Sequence, residues 1–224
     1  MLDSARFRMA QVLVVCTGNI CRSPMAEGFL RELLRLRSNA AGDETDQDPG
    51  HDEPITVSSA GTMGWDGSPA TPEANEAAAE READISGHRA RRLMAHHVEQ
   101  ADLVLGMTAE HRDTAIQLVP TAAARTFTLK ELVRLLEGLP EETDASGSDA
   151  DTIRRRVAAA DELRIGGFDT NRFDLDVVDP IGLSIETYRA VAWELDELCR
   201  RLVDGLFGGA PKPPTLATLW KEGE

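Results

Sequence analysis

The sequence predicts an α/β protein with three layers, in which a four-stranded parallel sheet is flanked by helices. The first observation is that four short runs of strand length alternate with amphipathic runs of helical length. The second is the composition of residues 12–15, which are all apolar and mostly β-branched, as in strands that are buried on both faces. Alternation of buried strands with helices favours a parallel sheet covered on both sides.

The elements follow one another with recognisable boundaries. Thr71 and Pro72 supply an N-cap and a first-turn proline for one helix, while Thr128 and Glu131 form a capping box for another. The last helix carries apolar residues at alternating three- and four-residue spacing over about six turns. Strands are predicted at 12–15, 55–60, 101–107 and 125–127, and helices at 23–37, 71–81, 109–118, 128–136, 151–163 and 185–206.

Length and charge favour one domain with two acidic insertions. The 224 residues carry a formal net charge of −15, and much of it lies in acidic stretches at about 39–54 and 137–170. The predicted domain spans residues 1–207, and the Gly- and Pro-rich tail at 208–224 is expected to be mobile. The negative charge argues against non-specific binding to nucleic acid or to an anionic membrane.

The number of cysteines and the hydropathy indicate the compartment in which the protein is expected. Three cysteines in a chain of this length do not resemble a secreted disulfide framework. No apolar run reaches the roughly 20 residues that span a bilayer. We therefore expect a cytoplasmic protein without a membrane anchor, either a monomer or a weak dimer.

The segment from Cys16 to Pro24 predicts an anion site. Cys16 follows the first buried strand, and Arg22 lies six residues later, where Ser23 and Pro24 favour a helix start. Backbone N–H groups of such a loop and the positive end of the helix converge on one point. Arg22 can bind two oxygens of an oxyanion at once. The same donors would favour the thiolate of Cys16, which is the reactive form.

Residues 16–27 read Cys-Thr-Gly-Asn-Ile-Cys-Arg-Ser-Pro-Met-Ala-Glu. This stretch resembles the phosphate-binding loop of the low-molecular-weight protein tyrosine phosphatases, because C-x-G-N-x-C-R-S-P-x-A-E extends the more general C-x-x-x-x-x-R-S pattern. The resemblance implies strand order 2-1-3-4 with the phosphate-binding loop after strand 1. It also implies hydrolysis of phosphotyrosine in proteins through a phosphocysteine intermediate, with inorganic phosphate as product and no metal or cofactor.

The resemblance assigns three catalytic roles. It implies that Cys16 is the nucleophile, that Arg22 binds the phosphoryl oxygens and that Asp179 is the general acid. Asp179 precedes Pro180 in a loop before the last helix, as the family's acid does. Asp174 and Asp176 are nearby carboxylates with which Asp179 can be confused.

Further residues are expected to support the loop and to line the pocket. Asn19 tolerates the left-handed angles of a tight loop, Gly18 allows close approach of phosphate, and Ser23 either donates to the Cys16 sulfur or caps the helix. Cys21 is the expected redox partner of Cys16. The resemblance implies phosphate binding or loop support by Thr17, Gly18, Asn19, Ile20, Cys21, Ser23 and Ser59, and a pocket lined by Ile20 and Trp65. Ile181 is the third expected pocket residue. It stands with Gly182 where many relatives carry aromatics after Asp-Pro, which predicts a more open wall and lower aryl affinity.

Three alternative functions stay open. One is an arsenate reductase of the same fold that uses an external thiol. A second is a phosphoarginine phosphatase, against which the apolar Ile20 argues, since it favours an aryl group over a guanidinium. A third is a non-catalytic phosphate-binding module. His88, His96, His97 and His111 show no spacing typical of a metal site.

Overall fold

The computed structural model describes residues 9–41, 55–140, 148–168 and 175–208. These ranges contain four strands and seven α-helices, with a 3-10 helix at Pro120–Arg125. The strands are β1 (Gln11–Cys16), β2 (Thr56–Gly61), β3 (Leu103–Gly106) and β4 (Thr126–Thr128). The helices are α1 (Arg22–Ala41), α2 (Pro72–Ala79), α3 (Ala95–Gln100), α4 (Ala109–Leu118), α5 (Leu129–Gly138), α6 (Asp149–Ile165) and α7 (Ile185–Phe207).

The four strands form one parallel sheet in the order β2-β1-β3-β4, which confirms the predicted topology. β1 lies between β2 and β3, with Val15 opposite Ala60 on one side and Gly106 on the other. The carboxyl ends of these three strands therefore meet at one edge. Open α/β sheets bind their ligands at this edge.

Alternate residues of β1 face two different helical layers. Val12, Val14 and Cys16 belong to a core that also takes buried side chains from α1, α2, α5, α6 and α7. Leu13 and Val15 belong to a second core with residues of α3, α4 and the 3-10 helix. Side chains alternate across a strand, so each face of the sheet is covered by helices and the three-layer prediction is confirmed.

The start of α1 differs from the prediction. The helix begins at Arg22, and the Met25 N–H donates to the Cys21 carbonyl over 3.2 Å. Ser23 is therefore a first-turn residue and not the N-cap. Pro24 is tolerated as the third helical residue because the N–H groups of the first turn have no partner within the helix.

Two short elements, α3 and the 3-10 helix, were not predicted, and several boundaries shift by a few residues. α6 lies within the predicted second insertion, yet its Ile153 and Val157 are buried in the larger core. That part of the insertion is integrated into the sheet-covering layer. Most of the first acidic stretch and residues 209–224 lie outside the described residues, so the mobile tail stays a prediction. None of the described helices is both long and apolar enough to cross a membrane.

Candidate active site

Cys16 is the last residue of β1, and the loop that follows it curls tightly before α1. Asn19 adopts the left-handed conformation with φ 57°, as the sequence predicts. The end of β2 lies against this loop, because a Cβ atom added at Gly61 would stand 2.6 Å from the Thr17 carbonyl oxygen and 3.0 Å from the Asn19 nitrogen. A glycine at position 61 is thus required by the close approach of the two backbones.

Two donors approach the sulfur of Cys16. The Asn19 backbone N–H donates to Sγ over 3.3 Å, and the Ser23 Oγ lies 2.9 Å from Sγ. The Asn19 Nδ2 donates to the same Ser23 Oγ over 2.9 Å. Since that oxygen accepts from Asn19, its own hydrogen is available for the sulfur. The Ser23 hydroxyl is therefore occupied by Cys16 and Asn19, and it does not cap α1.

Asn19 is fixed by three residues from two other segments of the chain. Its Nδ2 donates to Ser59 Oγ over 2.8 Å, its Oδ1 accepts from the Arg91 N–H over 2.9 Å, and its carbonyl lies 2.8 Å from His88 Nε2. Ser59 in turn donates to Glu27 Oε2 over 2.5 Å. The predicted contact between Ser59 and Asn19 is present, and together these bonds hold the left-handed turn.

Arg22 is buried, with 4% of its side chain exposed, and its guanidinium is held by three acceptors. Nη1 donates to the Val177 carbonyl over 3.0 Å, while Nη2 donates to Thr17 Oγ1 over 3.3 Å and to Asp179 Oδ2 over 2.5 Å. A buried cation needs such partners. The guanidinium is oriented towards the cysteine loop and the segment before α7 at once.

The segment before α7 brings one carboxylate to Arg22. Asp179 Oδ1 accepts from the Ile181 N–H over 3.2 Å, and its Oδ2 pairs with Arg22. Asp176 points elsewhere, since its Oδ1 accepts from the Ala109 N–H at the start of α4 over 2.8 Å. Asp174 lies outside the described residues. Of the two described candidates, Asp179 is the one whose carboxylate pairs with Arg22 in the cleft that Cys16 lines.

A cleft of about 160 Å³ joins these groups. Cys16, Arg22 and Asp179 line it together with the apolar side chains of Ile20, Met63, Trp65 and Ile181. Ile20 is buried, whereas the other three are partly exposed at 45–69%. The sequence predicted Ile20, Trp65 and Ile181 as pocket residues, and Met63 was missed. The cleft thus combines a charged group of side chains with an apolar wall.

Cys21, the predicted redox partner of Cys16, also lines this cleft. Its buried thiol contacts two side chains from outside the loop. Its Sγ lies 3.7 Å from Thr71 Oγ1 and 3.5 Å from the Tyr188 hydroxyl. Burial raises the pKa of the Cys21 thiol, while the hydrogen bonds from Tyr188 and Thr71 oppose that shift. Cys16, Cys21 and Cys199 are all free thiols.

Two histidines that the sequence analysis set aside contact the loop. His88 bonds the Asn19 carbonyl, and His111 Nε2 lies 2.9 Å from Thr17 Oγ1. His111 follows β3, whose carboxyl end neighbours that of β1. The predicted strand order therefore places His111 near the cysteine loop, although its spacing from other histidines does not. Among the described residues, no group of three or more His, Cys, Asp or Glu side chains is arranged to hold a metal ion.

Residues 11–157 match the family model described as low molecular weight phosphotyrosine protein phosphatase. The chain belongs to this family. As a low molecular weight phosphatase it is a cysteine-based hydrolase whose substrates are proteins. The loop after β1, with Cys16 and Arg22 at its two ends, carries the motif on which the resemblance was recognised.

Some relatives of this phosphatase are named as arginine phosphatases and others as tyrosine phosphatases. The protein-arginine-phosphatase of Geobacillus stearothermophilus is 32% identical over 196 residues, covering 88% of this chain and 95% of that protein. A low molecular weight protein tyrosine phosphatase structure from T. tengcongensis is also 32% identical, with a TM-score of 0.58, and covers 87% of this chain and 98% of that one. A YwlE arginine phosphatase mutant with a phosphorylated active-site serine is 28% identical, with a TM-score of 0.61, covering 88% and 95%.

Proposed function

We propose that this phosphatase hydrolyses phosphotyrosine in proteins through a covalent phosphocysteine at Cys16. The observation that carries the proposal is the shared cleft, in which the cysteine, the arginine and one carboxylate lie beside four apolar side chains. Arg22 suits a phosphoryl group, Cys16 suits attack on its phosphorus, Asp179 suits proton transfer to the leaving oxygen, and the apolar wall suits the ring that bears the phosphate.

In the first step the Cys16 thiolate attacks phosphorus in line with the leaving oxygen. The S–P bond forms as the P–O bond to tyrosine breaks. Arg22 and the loop amides bind the three equatorial oxygens, where charge is spread in the transition state. The hydrogen-bond donors Asn19 N–H and Ser23 Oγ–H stabilise the thiolate before attack.

Asp179 handles the proton in both steps. As a neutral acid it gives its proton to the departing tyrosyl oxygen, which leaves as a phenol. It then accepts a proton from water, whose oxygen attacks phosphorus while the S–P bond breaks. Inorganic phosphate is released and the Cys16 thiolate is restored. Asp179 must leave Arg22 for this role, and its 41% side-chain exposure leaves it room to turn.

Phosphoarginine is the second candidate substrate. The similarity to the Geobacillus stearothermophilus protein-arginine-phosphatase, which extends over 88% of this chain, favours it. Asp179 is a carboxylate in the cleft that can accept hydrogen bonds from a guanidinium. Against it stands Ile20, a buried apolar side chain in the loop itself, which offers a planar cation no acceptor. We therefore place phosphotyrosine first.

Two peptides of one sequence, carrying phosphotyrosine or phosphoarginine at the same position, test this choice. We expect kcat/KM to favour phosphotyrosine by about tenfold or more, the discrimination typical of an apolar pocket. Ile20→Thr replaces the ethyl branch of the side chain with a hydroxyl and should shift the ratio towards phosphoarginine. Ile20→Val is nearly isosteric with the threonine variant and controls for the lost volume. A wild-type preference for phosphoarginine would overturn the phosphotyrosine assignment.

Arsenate reduction and phosphate binding without catalysis are tested in the same assay series. Cys199 is fully buried and its thiol donates to the Ala26 carbonyl, and burial raises its pKa. It is therefore poorly placed to relay oxidation from Cys16, and arsenate reduction would need an external thiol. Arsenate reduction that outpaces phosphomonoester hydrolysis would favour the reductase, and absence of both would favour a binding module.

We also propose that the enzyme acts in the reducing cytoplasm, because Cys16 must remain a free thiol to act as the nucleophile.

A further inference from the structure

His111 is a buried titratable side chain for which the proposed reaction has no role. It lies in the first turn of α4 with 3% of its surface exposed. Its Nε2 lies 2.9 Å from Thr17 Oγ1 and its Nδ1 lies 2.7 Å from Thr108 Oγ1. Both ring nitrogens therefore contact hydroxyl groups, one in the cysteine loop and one at the turn between β3 and α4.

Arg22 limits the roles that the Thr17 hydroxyl can take. A guanidinium only donates, so Thr17 Oγ1 accepts from Arg22 Nη2. The hydrogen of Thr17 can then be donated to Nε2 of His111 in the tautomer that carries the ring proton on Nδ1. Burial and the neighbouring Arg22 lower the pKa of His111 to about 4, although Asp179 and Asp176 oppose the shift. The imidazole is thus neutral near pH 7 and keeps one acceptor nitrogen.

We propose that His111 is a positioning residue for Arg22, acting through the hydroxyl of Thr17. This inference rests on the proposed function, in which Asp179 leaves Arg22 to protonate the leaving group. Nη2 then loses one of its two partners, and Thr17 keeps the guanidinium plane in place together with the Val177 carbonyl on Nη1. Without His111 the Thr17 hydroxyl loses one of its two partners and is held by Arg22 alone.

The turn that holds His111 also holds the segment that bears Asp179. The Val177 N–H donates to the Met107 carbonyl over 2.8 Å, and the Ala109 N–H donates to Asp176 Oδ1 over 2.8 Å. His111 therefore ties Thr17 to the same turn that anchors the acid segment. This arrangement keeps the phosphate-binding arginine and the proposed acid in register with each other.

Two substitutions separate the contact with Thr17 from the contact with Thr108. The amide of His111→Gln reaches about as far as Nε2 and can accept from Thr17, whereas His111→Asn reaches only to about Nδ1 and Thr108. We expect His111→Asn to lower kcat/KM for para-nitrophenyl phosphate about tenfold or more, as small misplacements of binding groups do. The affinity of His111→Asn for inorganic phosphate, measured by calorimetry, should fall as well. His111→Gln should restore most of both losses.

A double-mutant cycle with Thr17→Val tests the route of the effect. If His111 acts through Thr17, His111→Asn should add little to the loss that Thr17→Val already causes. Equal phosphate affinity in wild type and His111→Asn would overturn the proposal, as would equal losses in the Asn and Gln variants or fully additive losses in the cycle.

The measurement of phosphate affinity does not depend on catalysis. If the wild type binds phosphate without hydrolysing phosphomonoesters, the proposed function fails, yet the affinities of the variants still decide the role of His111. Should His111→Asn not fold, Thr17→Ser and Thr17→Val probe the same contact from the loop. Phosphate affinity should fall more in the valine variant than in the serine variant, and equal affinities in these two would overturn the proposal.

Discussion

Arg22 and Asp179 are paired with each other, with Nη2 of the arginine 2.5 Å from Oδ2 of the carboxylate. The arginine is buried and the carboxylate is 41% exposed, so the pair lies at the mouth of the cleft. A substrate phosphoryl group needs the same guanidinium and carries the same sign of charge as Asp179. In the proposed mechanism the phosphoryl group displaces the carboxylate from Arg22, and Asp179 is then free to reach the leaving oxygen.

Replacement of Asp179 should separate binding from catalysis. In Asp179→Asn the competing negative charge is gone, so inorganic phosphate should bind severalfold more tightly in calorimetric titration. For alkyl phosphates kcat should fall about 10²–10⁴-fold, the usual worth of general acid catalysis. Asp176→Asn is the matched control, because its carboxylate bonds the Ala109 N–H and makes no bond to Arg22. Weaker phosphate binding in Asp179→Asn would contradict the competition between carboxylate and phosphate.

The cysteine loop was accessible from sequence because its determinants are local. The apolar run before Cys16, the left-handed Asn19 and Arg22 at the helix start all lie within twelve residues. Asp179 was accessible only through the resemblance, since many other aspartates precede or follow it. The helix start was misplaced by one residue because Ser23 and Pro24 look like a cap, while the Ser23 hydroxyl is used by Cys16 and Asn19.

Residues that reach the site through the fold escaped prediction. His111 lies 94 residues from Thr17, and Met63 reaches the cleft on the loop after β2. Their positions depend on the parallel register of the sheet, which brings the ends of β2, β1 and β3 together. Helix α3 was missed because six residues are too few for a periodic pattern to emerge.

Acid should weaken the fold partly through His111. Its native-state pKa of about 4 lies below the value of 6.5 for the unfolded chain, so below pH 6.5 the unfolded state binds a proton that the native state does not. The free energy of unfolding should therefore fall as the pH drops from 6.5 towards 4, by up to about 3 kcal/mol from this group.

Urea denaturation of wild type and His111→Gln between pH 7.5 and 4.5 measures that contribution. The variant has no imidazole to titrate at this position, so its stability should decline less steeply below pH 6.5. His97, whose pKa is also lowered to about 4, is present in both proteins and cancels in the difference. Parallel curves for the two proteins would show that folding does not lower the pKa of His111.

Peroxide should inactivate the enzyme reversibly through Cys21. An oxidised Cys16 carries a sulfenic acid, and the Cys21 thiol can condense with it to form a disulfide with loss of water. Cys21 must first turn away from Thr71 and Tyr188, which its Sγ now contacts. We expect peptide mapping after brief peroxide treatment to find a Cys16–Cys21 link that dithiothreitol reverses.

The serine variant of Cys21 supplies the control for this protection. Cys21→Ser should retain most activity when reduced, since its hydroxyl can still contact Thr71 and Tyr188. After prolonged peroxide it should stay inactive in dithiothreitol, because Cys16 has no nearby thiol and proceeds to irreversible acids. Full recovery of this variant would exclude a protective role for Cys21.

The covalent intermediate on Cys16 is the central step of the proposed mechanism, and rapid-quench mass spectrometry with para-nitrophenyl phosphate tests it most directly. We predict a phosphoryl group on the peptide that contains Cys16, formed at least as fast as the enzyme turns over. Cys16→Ser should lose turnover by far more than tenfold, while Cys21→Ser, which removes the other thiol of the same loop, should still be labelled at Cys16. Phosphate release by Cys16→Ser within about tenfold of the wild-type rate, or a phosphoryl group on another residue, would contradict the mechanism.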